Sequence, residues 1–220
     1  MGGPIKCVAR GPSWVVVDKP AGLLSVPGRG PGKADCAVAR VAALIHEADG
    51  PMVVHRLDMD TSGLLLVALS AGAQRALSRQ FRDRMVLKRY VGVVEGAPGA
   101  RAGVVRLRQR LNVDRRPVQI VDETFGKLAV TRWRRIDPHP RDAAHERTRI
   151  EFGPVTGRSH QIRLAASSPA PAGLGCPIVG DDLYGSGRTP GERLMLAAVA
   201  LTFDDPDTGR RVRVRIAPPF

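Results

Sequence analysis

Aromatic residues are scarce in this chain: two Trp, two Tyr and five Phe make up 4% of its 220 residues. So few rings leave little material for a groove that stacks a long unpaired nucleic-acid strand. Lysine is scarcer than the charge suggests, since only five of the 34 basic residues are Lys and the rest are Arg. Cys7, Cys36 and Cys176 are odd in number and lack Cys-x-x-Cys spacing, which argues against a disulfide framework and a zinc site. No apolar run approaches the roughly 20 residues of a membrane-spanning helix. No basic-then-apolar signal segment is present, and Lys6 stands where a myristoylation motif requires Ser or Thr. The expectation is a cytoplasmic, reduced protein without a metal or a membrane partner.

Positive charge is abundant instead. The 34 Lys and Arg face 21 Asp and Glu, a formal charge of +13. Arginine forks bind phosphates bidentately and stack on bases, so an arginine-dominated surplus points to nucleic acid. A codon bias toward arginine would enrich the residue anywhere, but it does not explain why the acids fail to keep pace. The length suffices for one large domain, or two joined halves, with a substantial core.

Periodicity supplies a coarse map. Residues 1–13 read as a short mobile lead and Trp14–Val17 as a first strand. Ala34–Ala48 carries Val38, Val41, Ala42 and Ile45 at helical spacing. Met52–His55 and Leu64–Leu69 read as short strands around an aspartate loop. After Ser70, an expected N-cap, Ala73, Leu77 and Phe81 form the core stripe of a helix. Its other side carries Arg75, Arg79 and Arg82 at i, i+4 and i+7, ordinarily a solvated face but here a candidate phosphate rail. Val105–Arg108, Leu128–Arg134 and Val212–Ile216 alternate apolar and basic residues as half-exposed strands do. Ser159–Ala166 reads as a short helix and Asp137–His145 as a surface loop. The derivable class is α+β with a largely antiparallel sheet.

The most informative stretch is His55-Arg56-Leu57-Asp58-Met59-Asp60-Thr61-Ser62-Gly63, followed by the apolar run Leu64–Leu69. An Asp before a strand is ordinarily a turn residue, yet such a loop can also hold one carboxylate rigidly for chemistry. The whole string resembles the signature of the RluA-type RNA pseudouridine synthases, whose catalytic aspartate matches Asp58. Asp60 falls at a variable position of that motif. Further elements match in the family's order: Lys19-Pro20-Ala21-Gly22, Lys88-Arg89-Tyr90, Thr156-Gly157-Arg158-Ser159-His160-Gln161-Ile162-Arg163, Pro177-Ile178-Val179-Gly180-Asp181 and Leu194-Met195-Leu196.

The resemblance implies a pseudouridine synthase fold: a bent, mixed, mostly antiparallel sheet in two halves with a central active-site cleft. One catalytic domain would cover residues 1–220, with no added RNA-binding domain. The implied activity isomerises uridines in stem-loops of large-subunit ribosomal RNA, transfer RNA or both, without a cofactor and as a monomer. It implies that Asp58 carries the chemistry, that Arg163 is its cationic partner and that Tyr90 lies against the extruded uracil. Arg56 would fill the gap left in the RNA stack. Arg158 is a candidate phosphate contact, and His160 is assigned a structural role rather than that of a base.

Each of these has a plainer reading. Tyr90 can be ordinary sheet packing, and an arginine on a short helix is ordinarily at the surface. Gly28–Lys33 suggests a phosphate loop, but Pro27 and Ala34 stand where Gly and Ser or Thr are required. Gly185-Ser186-Gly187 lacks the spacing of a nucleophile elbow. Family members commonly carry histidines where this chain has Ala165 and Ala197, positions where peripheral RNA contacts would be lost. A catalytically silent RNA-binding or ribosome-assembly protein of the same fold is the alternative. A nucleoside or glycoside hydrolase would want a second positioned acid and would leave the charge unexplained.

The charge distribution carries a prediction. RNA affinity should fall steeply with salt, with a log–log slope of several units. Replacing Arg75, Arg79 and Arg82 together should flatten that slope in a filter-binding titration. An unchanged slope would place the phosphate rail elsewhere, for instance at Arg213 and Arg215.

Overall fold

A computed structural model describes residues 5–28, 30, 32–45, 52–138, 146–186 and 191–220. Ten strands and three helices run β1 Lys6–Arg10, β2 Trp14–Lys19, α1 Ala37–Leu44, β3 Ser62–Ala68, α2 Ala71–Arg82, β4 Leu87–Glu95, β5 Ala102–Leu111, β6 Gln119–Val121, β7 Lys127–Pro138, β8 Arg147–Pro154, α3 Gln161–Ser167, β9 Leu196–Asp204 and β10 Arg211–Arg215. The class is α+β with mixed, mostly antiparallel pairing. The chain divides into two compact units, Met1–Lys88 with Ala197–Pro219, and Arg89–Leu196 with Phe220.

In the first unit the strand order is β1-β2-β3-β9-β10. Every pairing is antiparallel except β3 with β9. β2 and β3 are apolar on both faces, with Val15, Val16, Val17 and Leu64 fully buried, as a central strand requires. One face packs Trp14, Val16, Leu64 and Leu66 against Ala73 and Leu77 of α2. Trp14 meets Phe203 edge-on at 5.0 Å between ring centroids. Ser70 caps α2 by accepting from the Ala73 N–H, so the expected cap and stripe are both present.

The second unit orders its strands β4-β8-β7-β5-β6, all antiparallel. β5 alternates strictly: Val105, Leu107 and Gln109 point inward while Arg106, Arg108 and Arg110 face water. The inward set joins Ile150 and Phe152 of β8 and Ile162 and Ala165 of α3 in one core.

Four expectations need correction. Residues 6–10 are no mobile lead but strand β1, paired with β2 across a bulge. Met52–His55 forms no strand; it makes an isolated bridge from Val53 to Val67. The first helix is shorter than expected, with Cys36 as its N-cap, and positions 46–48 of the expected span lie outside the described residues. β7 continues to Pro138, so the expected loop begins later; residues 139–145 lie outside the described part, as do positions 29 and 31 of the Gly/Pro segment.

The parallel β3–β9 contact depends on Gly63. Its φ is +106°, and a Cβ there would collide with the backbone carbonyl of Ala198. Both the positive φ and the missing side chain are therefore required. Gly63→Ala should cost about 3 kcal/mol or more, combining backbone strain with overpacking. A lowered urea midpoint with unchanged slope is the expected readout.

Candidate active site

Asp58 sits half-buried in the loop that runs into β3, and its neighbours on both sides are held by the backbone. The Leu57 peptide is clasped by one hydroxyl: Ser25 Oγ accepts from Leu57 N at 3.0 Å and donates to Leu57 O at 2.8 Å. On the other side Met59 O accepts from Gly22 N at 3.0 Å and from Lys19 Nζ at 2.7 Å. Thr61 N closes the turn onto Asp58 O at 3.2 Å. A carboxylate on such a loop has little backbone freedom to lose when it reacts.

Lys19 is the central fixture. Its side chain is fully buried at the end of β2. Its ammonium donates to the carbonyls of Pro20, Leu23 and Met59 at 2.9, 2.7 and 2.7 Å, so all three of its protons are used. Burial pushes its pKa down to about 8, opposed by the nearby carboxylates of Asp60 and Asp58. At neutral pH the amine therefore stays charged.

His55 anchors the start of the loop. Its Nε2 accepts from Leu66 N of β3 at 2.9 Å, and its ring stacks on Phe81 at 4.5 Å. Burial, and secondarily the Lys88 ammonium, push the His55 pKa down to about 3. The ring is thus neutral, as an acceptor nitrogen requires. Arg56 is exposed, as are Arg75, Arg79 and Arg82 on α2. These residues, with Asp58, all belong to the first unit.

Tyr90, Arg158 and Arg163 belong to the second. Tyr90 is on β4 opposite Phe152 and packs against the core. Arg163 is not at the surface, as short-helix arginines ordinarily are; it is 2% exposed. Its Nε and Nη2 donate to the two oxygens of Asp181 at 2.8 and 2.6 Å, and Nη2 also reaches Asp182 at 3.0 Å. The guanidinium lies 5.3 Å from the centre of the Tyr184 ring. The Tyr184 hydroxyl accepts from Gln119 N at 2.6 Å and meets His160 Nδ1 at 2.9 Å. Arg158 is exposed, with its Nε on Leu128 O at 3.3 Å.

Three functional supports escaped the sequence reading: Ser25, the buried partnership of Lys19, and Asp181. A signal existed for Lys19, a lysine that ends a strand begun by the apolar run Trp14–Val17 and is followed by Pro20 and Gly22. Ala165 and Ala197 are core positions, 2% and 0% exposed, rather than peripheral ones. Among the described residues no group of His, Cys, Asp or Glu could hold a metal ion, and no helix is long and apolar enough to cross a membrane.

Lys19→Met should destabilise the protein by roughly 2 kcal/mol or more, since buried carbonyls left without a donor cost about 1–3 kcal/mol each. Turnover should fall as the Asp58 loop loosens. The unfolded amine holds its proton up to about 10.5 and the folded one only to about 8. Folding therefore releases a proton in that window, and the contribution of Lys19 to stability grows as pH rises through it. Urea titrations at pH 7.5 and 10 should show the wild-type advantage over Lys19→Met widening at the higher pH.

Comparison with known proteins accords with this arrangement. Residues 13–168 match the family model of RNA pseudouridylate synthase. The chain is 39% identical over 208 residues to the dual-specificity RNA pseudouridine synthase RluA of Escherichia coli K12, covering 94% of this chain and 90% of that protein. It is 41% identical over 196 residues to the protein of the same name from Haemophilus influenzae, covering 88% and 84%. Among solved structures, human RNA pseudouridylate synthase domain containing 1 superposes with a TM-score of 0.80 at 26% identity, over 100% of this chain and 86% of that one. A sequence that matches this family over most of its length, and holds its signature aspartate in a doubly clasped loop, belongs to the RluA-type RNA pseudouridine synthases.

Proposed function

We propose that the whole chain acts as a single catalytic domain, monomeric and cytoplasmic, on stem-loops of large-subunit ribosomal RNA, transfer RNA or both. The reaction breaks the N-glycosidic bond of a uridine, turns the detached uracil within the site and rejoins it through carbon. Atoms balance without a cofactor, because the base that leaves is the base that returns. The step needs one ionised carboxylate near the sugar and base, acting as nucleophile or proton acceptor.

Asp58 takes that part, and the observation that carries the reading is its mounting. Leu57 and Met59 are pinned on either side, and the buried Lys19 ammonium attracts the nearby Asp58 carboxylate. Arg163 supplies the second cation, its fork preset by Asp181. Tyr90 lies against the uracil. Arg56 enters the stack vacated by the flipped base, while Arg158, Arg75, Arg79 and Arg82 engage phosphates.

Asp58→Asn should abolish pseudouridine formation in a tritium-release assay while leaving RNA affinity within a few-fold of wild type. Wild-type enzyme should act on a short isolated hairpin carrying the target loop, with no added cofactor. Unpairing the stem while keeping the loop sequence should remove most of that activity. Substantial turnover by the Asn variant would end the assignment of Asp58. Equal activity on the unpaired oligonucleotide would end that of the stem-loop.

A further inference from the structure

One side chain outside the residues assigned so far is poorly matched to its solvent. Phe125 is 78% exposed, the most exposed of the large apolar residues and the one aromatic among them in the described part of the chain. It occupies the turn between β6 and β7, and that turn is firmly built. Asp122 Oδ1 accepts from the N–H groups of Thr124 and Phe125 at 3.0 and 2.9 Å. Gly126 N donates to Asp122 O at 2.8 Å, and Arg108 Nη1 donates to Gly126 O at 3.2 Å. A Cβ on Gly126 would collide with Asp122 O and with the Arg108 backbone. The ring is therefore presented to water on a fixed mount.

Basic residues lie on the strands that adjoin this turn. Arg108 and Arg110 project from the exposed face of β5, and Lys127 follows the turn. Arg158 reaches the same hairpin through Leu128 O. The local acids are Asp122, which is engaged by Arg110, and the exposed Glu123. The hairpin is also tied to the segment that carries Arg163. Gln109 Nε2 donates to Ser159 O at 2.8 Å, Gln161 Nε2 to Val130 O at 3.0 Å, and Val130 N to Thr156 Oγ1 at 2.9 Å.

We propose that Phe125 is a stacking platform for an unpaired base of the bound RNA other than the target uridine, with Arg108, Lys127 and Arg158 on the neighbouring phosphates. An exposed ring with basic residues on the adjoining strands suits a base with its phosphates, since base–aromatic stacking and phosphate neutralisation are what single-stranded loops offer. Protein interfaces instead want charge depleted around a contiguous apolar centre. One platform, rather than a row, also fits a hairpin loop with few free bases. This inference rests on the reading of the protein as an enzyme of RNA stem-loops.

The test compares wild type with Phe125→Ala, Phe125→Leu and Phe125→Trp on one RNA hairpin that carries the target loop. Affinity is read by filter binding, folding by thermal melting, self-association by sedimentation and product by pseudouridine mapping. Because the ring is exposed, all variants should melt with wild type. The Ala and Leu variants should bind roughly 5- to 100-fold more weakly, the fold-change expected for losing one stacked base, whereas Trp should bind at least as well as Phe. The salt slope should not change, since a phenyl ring neutralises no phosphate. Unchanged affinity of the Ala variant would overturn the proposal, as would full rescue by Leu. A difference in self-association between wild type and the Ala variant would also overturn it, by making the ring a protein contact. If wild type binds the hairpin but forms no pseudouridine, the proposed function fails while the stacking comparison still stands. If wild type forms pseudouridine and the Ala variant binds equally well, the stacking platform alone fails.

Discussion

The buried ammonium of Lys19 is the interaction on which the Asp58 loop depends. A lone buried charge is costly, and this one is tolerated because three carbonyls from two chain segments converge on it. The segment after β2 must turn back at Pro20 and Gly22 to offer two of them, and the Asp58 loop must approach to offer the third. One cation thus fixes the relation of the two segments and at the same time sets the local potential. Ser25, from the same N-terminal segment, then clasps Leu57. The Asp58 loop is held from outside itself, by residues 32 and 40 positions earlier than the ones they bind.

The second unit also buries a cation but holds it with a charged acceptor. Here the buried cation is Arg163 and its partner is a carboxylate, Asp181, matched oxygen to nitrogen. Asp181 also accepts from the N–H groups of Leu183 and Tyr184, so the anion is oriented before the arginine meets it. Tyr184 extends the network through its hydroxyl to His160 and to β6. His160 accordingly has a mechanical task at the left-handed start of α3, with φ at 51°. A bidentate pair of this kind fixes the plane of a guanidinium, which a point charge would not need and a planar fork does.

Much of this was legible in the residues, because local periodicity is strong where one face of an element is buried. α2 could be read with its Ser70 cap, and β5 and β10 by their alternation of apolar and basic residues. β1 could not: it is short, mostly exposed and bulged, so no period survives. Met52–His55 looks like a strand by composition, but Met52 O accepts from Ala68 N and His55 Nε2 accepts from Leu66 N, with no continuous ladder. The motif around Asp58 marked the carboxylate, yet Ser25, Lys19 and Asp181 became visible only through their partners. Met59, Leu57 and Arg163 lie 40, 32 and 18 positions from Lys19, Ser25 and Asp181, and spacing alone does not encode those pairings.

The first unit is discontinuous, and that has a consequence for how the enzyme comes into being. β3, whose N-terminal end follows directly on the Asp58 loop, pairs with β9 more than 130 residues later, Ser62 with Ala197 and Gly63 with Ala198. Such a pairing closes a long loop before it gains its contacts and forms slowly. During synthesis the stretch Arg89–Leu196 of the second unit emerges before β9 is available. A nascent chain that has passed Arg163 but stops short of β9 therefore carries Asp58, Tyr90 and Arg163 and still lacks the strand beside β3. The timing of activity is set by the arrival of β9.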